Sequence, residues 1–201
     1  MVNIFRNIMD PLQIIRKYAP FGSLTYGMLV EHSLAVMEKA LSVAESVKHL
    51  HPDRGFIREA AMLHDIGIVL VNEPRLGCGG NEPYICHGYL GRRLLEKEGY
   101  PRHALVCERH IGTGLTVQDI MAQDLPLPKR DMQPRSLEEK IICYADKFFS
   151  KRIGQLSTEK AVSEVRSEMA LFGPHRLKAF DELHALFSKR PSPEKVRKQG
   201  K

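Results

Sequence analysis

Apolar residues recur along this 201-residue chain at spacings of three and four, and proline, glycine and short polar side chains punctuate the runs. That period is helical, because residues three and four apart share one face of an α-helix. Asp10-Pro11 offers an N-cap and a proline at the first helical position, which opens a helix from Leu12 to Ala19; Pro20-Phe21-Gly22-Ser23 breaks it. Residues 27–48 read as a long amphipathic helix with Leu34, Met37, Leu41 and Ala44 facing inward. Asp53 caps the next helix, in which Ile57, Ala60, Ala61 and His64 share a face and Gly67 marks the stop. Residues 72–86 hold Pro74, Gly77, Gly79, Gly80 and Pro83 and read as a loop. His87 opens a helix with Leu90, Leu94 and Leu95 inward, closed by Gly99, and Pro101 starts another that ends near His110. Ser136-Leu137-Glu138-Glu139 has the form of a capping box ahead of Ile141, Ile142, Ala145 and Phe149. Two further helices are expected near 158–172 and 174–188, divided by Gly173-Pro174. No strand pair and no internal repeat emerges, so the pattern predicts an all-α fold.

One connection stands apart from this rhythm. Residues 113–135 contain Pro126, Pro128 and Pro134 and are long for a compact domain, so they read as a lid or a locally disordered segment with a short helix at Asp119–Ala122. Lys129 and Arg130 within it read as a solvated basic pair.

The periodicity leaves one feature unexplained. In Ala61-Met62-Leu63-His64-Asp65-Ile66-Gly67 a histidine and an aspartate stand side by side in an apolar run. Adjacent helical residues point about 100° apart, so one packed face rarely needs both. An imidazole and a carboxylate aimed into the same interior need a partner, and a metal ion satisfies both. His32, His87, His110 and Asp146 are available as further ligands. His103 competes with His110, and His49, His51, His175 and His184 read as surface or terminal residues.

Composition narrows the class. A chain 43% hydrophobic can bury a sizeable core, and no apolar run approaches the ~20 residues of a bilayer span. Met1-Val2-Asn3-Ile4-Phe5-Arg6 has no secretory pattern, and the four cysteines are scattered without a Cys-x-x-Cys, so a cytoplasmic protein with reduced thiols is expected. Cys78 and Cys86, flanking the loop before His87, are the only thiols placed to act as soft ligands. The formal charge of +6 is concentrated at one end: residues 189–201 hold six lysines and arginines against Glu194. This tail reads as disordered and solubilising, and the rest of the chain is too nearly neutral for a nucleic-acid-binding surface. The pattern does not specify an oligomer.

The order His32, then His64-Asp65, then Asp146 resembles the HD-domain metal-dependent phosphohydrolases, and Leu63-His64-Asp65-Ile66-Gly67 matches their His-Asp-Ile-Gly signature. His87, His110 and the stretch Ala145-Asp146-Lys147-Phe148-Phe149-Ser150-Lys151-Arg152 are similar to the dinuclear proteins related to bacterial symmetric diadenosine tetraphosphate hydrolases. The likeness covers roughly residues 26–153. It implies an HD-domain helical bundle over residues 1–188, with two additional C-terminal helices. It implies two divalent ions of Fe, Mn, Zn, Co or Ni: one held by His32, His64, Asp65 and Asp146, the second by His87 and His110, with Asp65 as the bridge. The implied activity is hydrolysis of a nucleotide or related phosphoester through a metal-activated water, in which His64 and Asp65 take the central part. The implied substrate contacts are Arg152, Thr113 and Lys147, although a lysine directly after Asp146 reads more readily as a surface residue. Many relatives carry lysine where this chain has Ile68. Two alternatives remain: a mononuclear nucleoside monophosphate phosphatase using only the first four ligands, and a non-catalytic sensor that binds a nucleotide or a metal.

Overall fold

The computed structural model describes residues 9–188, so the basic tail expected at 189–201 lies outside the described residues. The described chain is helical: α1 (Pro11–Tyr18), α2 (Leu24–Ser46), α3 (Arg54–Leu63), α4 (His87–Lys97), α5 (Pro101–Arg109), α6 (Val117–Ala122), α7 (Leu137–Asp146), α8 (Val162–Leu171) and α9 (Pro174–Ser188). The expected all-α class stands. One correction is small: the 72–86 loop contains an antiparallel ribbon, β1 (Asn72–Glu73) with β2 (Cys78–Gly79), closed by a 3-10 turn at Pro74–Leu76. No helix among the described residues is long and apolar enough to cross a membrane.

Short polar side chains set the helix starts. Asp10 accepts the Leu12 N–H, Asp53 accepts the Phe56 N–H, and Ser23 accepts the Tyr26 N–H at 3.1 Å. Each satisfies a backbone donor that the first turn leaves open. The serine cap starts α2 at Leu24, three residues before the apolar period suggests. Ser136 caps α7 by accepting the Glu139 N–H, but Glu139 does not return the bond to Ser136. Its carboxylate accepts instead from the Arg135 N–H at 2.7 Å and from the Arg109 guanidinium at 2.9 Å, so only half of the expected box forms.

The core has two apolar clusters. One joins α1, the start of α2, α4, α5 and the connection; the other joins the rest of α2 with α3, α7, α8 and α9. Helix α2 passes from the first to the second at His32 and Ser33, both fully buried. This shifts its inward face. Leu29, His32, Val36, Ala40 and Val43 point inward, whereas Leu34 is 41% exposed and Met37 and Leu41 are half-buried. Scoring apolar residues alone rotated the expected face, because polar groups occupy the middle of the real one.

The connection is neither a lid nor loose. Leu115, Ile120, Leu127 and Met132 are buried, and Leu115 and Met132 exchange backbone hydrogen bonds of 3.1 and 2.7 Å. A Thr116–Asp119 capping box starts α6. Lys129 and Arg130 are exposed as expected, but the Arg130 guanidinium also meets the buried Glu108 carboxylate at 2.5 Å. Arg176 of α9 ties the C-terminal pair to this segment through the Gly114 carbonyl and Asp119. The anchoring apolar residues are irregularly spaced, so they left no periodic signal beside three prolines.

Gly67 does not stop α3. The helix ends at Leu63, and a 3-10 turn, Ile66–Leu70, follows with Gly67 inside it. A Cβ at Gly67 would overlap the backbone of His87 and Gly91, so glycine is required by the close approach of this turn to α4. Gly67→Ala is therefore expected to cost about 1–3 kcal/mol by forcing the two segments apart. A urea midpoint equal to that of the unsubstituted protein would show that this contact is not tight in solution.

Candidate metal centre

Helix ends place most of the chemistry. His64 and Asp65 follow the last residue of α3, His87 is the first residue of α4, His110 follows α5, and Asp146 is the last residue of α7. Only His32 lies within a helix. All six side chains are buried; His32, His64 and Asp65 have no exposed surface. The chain leaves the α-helical path between His64 and Asp65, at backbone angles of −104° and 6° for Asp65. That is how two adjacent side chains reach one interior point.

The histidines use the helix ends twice. His64 Nδ1 donates to the Ala61 carbonyl, His110 Nδ1 to the Cys107 carbonyl and His87 Nδ1 to the Tyr84 carbonyl, each at 2.7 Å. A carbonyl can only accept, so the Nδ1 atoms carry the protons. For His64 and His110 the bond satisfies a carbonyl that the ending helix leaves open, whereas the Tyr84 carbonyl also accepts the His87 backbone N–H; each bond aims Nε2 inward as a lone pair whenever the ring is neutral.

Asp65 divides what it faces. Its Oδ2 lies 3.3 Å from His32 Nε2 and 3.2 Å from His64 Nε2; Asp146 Oδ1 closes that group at 3.2 and 3.4 Å from the same two nitrogens. Its Oδ1 lies 3.4 Å from His87 Nε2 and 3.2 Å from His110 Nε2, which are themselves 3.2 Å apart. Ligands held about 2.1 Å from one ion in tetrahedral or octahedral geometry are roughly 3.0–3.4 Å from their neighbours. Both groups have that spacing. His64 Nε2 and both Asp65 oxygens are buried without a hydrogen bond, and the two facing Nε2 atoms of His87 and His110 are both acceptors in neutral rings. The donor set fits a divalent cation.

The electrostatics point the same way. Burial penalises a charged His64, but Asp65 and Asp146 outweigh it and raise the imidazole pKa to about 9. Burial would also raise both carboxyl groups; His64 and Lys151 hold Asp65 well below the usual range, and Lys147 and Lys151 do the same for Asp146. Burial lowers His110 to about 4, which keeps it neutral. Asp146 is a carboxylate at a helix C-terminus, where the helix dipole disfavours it, and the Lys147 ammonium compensates at 2.7 Å.

The remaining candidates are dispersed. Lys147 is not a surface residue: its side chain is 9% exposed and its ammonium holds both Asp146 and the His110 carbonyl. Arg152 is exposed at the edge of a cavity of about 510 Å³ that Arg75, Tyr84 and Lys151 also line. Thr113 is buried in the wall of a different cavity, beside Asp131, Arg135 and Leu183, and is not brought together with Arg152. His103 pairs with Glu59 and packs on Phe56, apart from both ligand groups. Cys78 and Cys86 contact Thr25 and the Pro126 carbonyl. Sequence reasoning missed Lys151, whose ammonium lies 2.9 Å from Asp65 Oδ2. Its only sequence signal was position, five residues after Asp146.

Comparison with known proteins adds four findings. The HD-domain family profile matches residues 29–150. An uncharacterized protein of Methanocaldococcus jannaschii is 38% identical over 130 residues, which cover 62% of this chain and 69% of that protein. The tRNA (cytidine(56)-2'-O)-methyltransferase of Picrophilus torridus is 32% identical over 124 residues, 61% of this chain; the chain spans about a third of that protein's length, 32%. Among solved structures, the HD domain of the L. monocytogenes phosphodiesterase PgpH in complex with cyclic-di-AMP aligns at a TM-score of 0.49 and 17% identity, covering 91% of this chain and 99% of that one.

Two acceptor groups sharing one carboxylate lead to a stoichiometry. Protein loaded with Mn²⁺ is expected to carry about two ions per chain by elemental analysis. His87→Ala and His110→Ala should each lower this to about one, and Asp65→Ala should abolish tight binding at both positions. One ion per chain, indifferent to both histidines, would reduce the centre to His32, His64, Asp65 and Asp146.

Proposed function

The chain belongs to the HD-domain family, and from that premise we propose that it is a divalent-metal-dependent phosphohydrolase acting on a nucleotide or related phosphoester. The observation that carries this reading is the division of Asp65, with each oxygen facing its own pair of imidazole nitrogens. His32, His64, Asp146 and Asp65 Oδ2 would hold one cation, and His87, His110 and Asp65 Oδ1 the other. Divalent ions so held supply positive charge to a phosphoryl oxygen and bring the pKa of water toward neutrality.

The chain's own residues supply placement and exclusion. The Nδ1 bonds to backbone carbonyls keep three imidazoles aimed inward. Buried apolar clusters on both sides keep bulk water from the ligands and strengthen every charge interaction there. The cavity beside the centre connects to it through two of its lining residues. The Tyr84 ring packs on His87 at 4.8 Å, and Lys151 reaches Asp65. Arg75, Lys151 and Arg152 give that cavity a cationic lining suited to phosphate, with Glu73 paired to Arg75 at 2.8 Å.

The same observation favours the dinuclear reading, with its likeness to symmetric diadenosine tetraphosphate hydrolases, over the mononuclear phosphatase. With one ion alone, the His87 and His110 Nε2 atoms would face each other 3.2 Å apart with no cation between them. Methyl transfer is not part of the proposal, since the shared region is about a third of the methyltransferase.

The test is a panel of nucleoside monophosphates, dinucleoside polyphosphates and cyclic dinucleotides, assayed with Mn²⁺, Fe²⁺ and Ni²⁺. Turnover of at least one member is expected, and its absence throughout would favour the sensor reading. On the substrate turned over, Arg152→Ala should lower kcat/KM by roughly 10–100-fold with metal content unchanged, the effect of removing one charge-assisted hydrogen bond. Arg152→Lys should recover part of the loss, because an ammonium lacks the planar fork.

A further inference from the structure

Lys151 is placed between two environments. Its side chain lines the 510 Å³ cavity and is 18% exposed, while its ammonium lies 2.9 Å from Asp65 Oδ2. That oxygen is the one that faces His32 and His64. The charged or titratable groups around the ammonium are Asp65, Asp146 and Tyr84. Arg75 is already engaged by Glu73, and Arg152 makes no side-chain contact with either ligand group. Among the described residues, Lys151 is therefore the one cavity cation in touch with the proposed bridging carboxylate.

We infer that Lys151 receives the phosphoryl group of the substrate, and that without substrate its ammonium serves as the counter-charge of Asp65 Oδ2. This rests on the phosphohydrolase reading and adds a consequence for metal affinity. An ammonium 2.9 Å from a shared ligand atom repels a cation arriving at that atom, so Lys151 weakens metal binding while strengthening phosphate binding. A lysine that merely supported the fold would not act on the two ligands in opposite directions.

The experiment measures both affinities without turnover, so failure of the hydrolase assay leaves it readable. In Lys151→Met the affinity for Mn²⁺, from competition with a chelating indicator, should rise by at least roughly tenfold, since a unit charge ~5 Å from a divalent cation repels it by that much even at the dielectric of water. The affinity of the Mn²⁺-loaded variant for inorganic phosphate, by calorimetry, should fall by roughly tenfold with the loss of a charge-assisted bond. Lys151→Arg keeps the charge and should leave Mn²⁺ affinity near that of the unsubstituted protein, with most phosphate binding retained. Lys151→Gln repeats the measurement if the methionine variant does not fold. Mn²⁺ affinity that stays level or drops in the uncharged variant, or phosphate affinity that does not change, overturns the assignment.

Discussion

The constraint on which the rest of this structure depends is the Asp65 carboxylate, held with no exposed surface among four imidazoles. An ionised carboxylate taken from water costs several kcal/mol unless positive charge compensates it. The chain supplies some of that charge itself, through Lys151 on Oδ2 and a His64 whose pKa is raised to about 9. No such donor reaches Oδ1, which faces the Nε2 atoms of His87 and of His110, the latter kept neutral by burial. The protein alone leaves this side of Asp65 short of positive charge, a shortage that a cation held there, as proposed, would relieve.

Helix termination solves two problems at one place. An ending helix leaves its last carbonyls without partners, and a metal-ligating imidazole needs its second nitrogen fixed. His64 and His110 meet both needs with single bonds to Ala61 and Cys107, while His87 Nδ1 is fixed by a Tyr84 carbonyl that also accepts the His87 backbone N–H. The arrangement requires helix ends to converge, which explains the tight contacts around them. Gly67 lies against the backbone of α4, and Gly91 lies against Cys107 of α5, so the segments bearing three of the histidines pack closer than larger residues would allow.

Much of this was legible in the sequence. The caps at Asp10, Asp53 and Ser136, the proline starts of α1 and α5 and the all-α class follow from residue chemistry that acts locally. The six residues expected as ligands are brought together in space, because a histidine or aspartate in an apolar run stands out. The misses share a cause, which is that tertiary partners are invisible to periodicity. Leu34 counted as core because it is apolar, while Ser33 and His32 occupy the true inward face. The 113–135 segment read as loose because its partners lie outside it, Glu108 on the preceding helix and Arg176 far along the chain on α9. Lys147 read as a surface residue because lysines usually are, and its two partners come from α7 and the end of α5.

The C-terminal helices, outside the 29–150 match, act on the centre through α7. Phe180 and Phe187 of α9 pack on the Tyr144 ring, and His184 bonds its hydroxyl at 2.8 Å. Tyr144 is two residues before Asp146, so the packing that holds α7 also fixes where its last carboxylate points. Arg176 at the other end of the pair binds the connection that follows His110. One helical hairpin thus braces the segments beside a ligand of each proposed cation. Packed interiors resist compression, so a displacement of α9 would be transmitted to both groups instead of being absorbed between them. On these grounds we propose that the added helices form one cooperative unit with the ligands, although none of their described residues enters the centre.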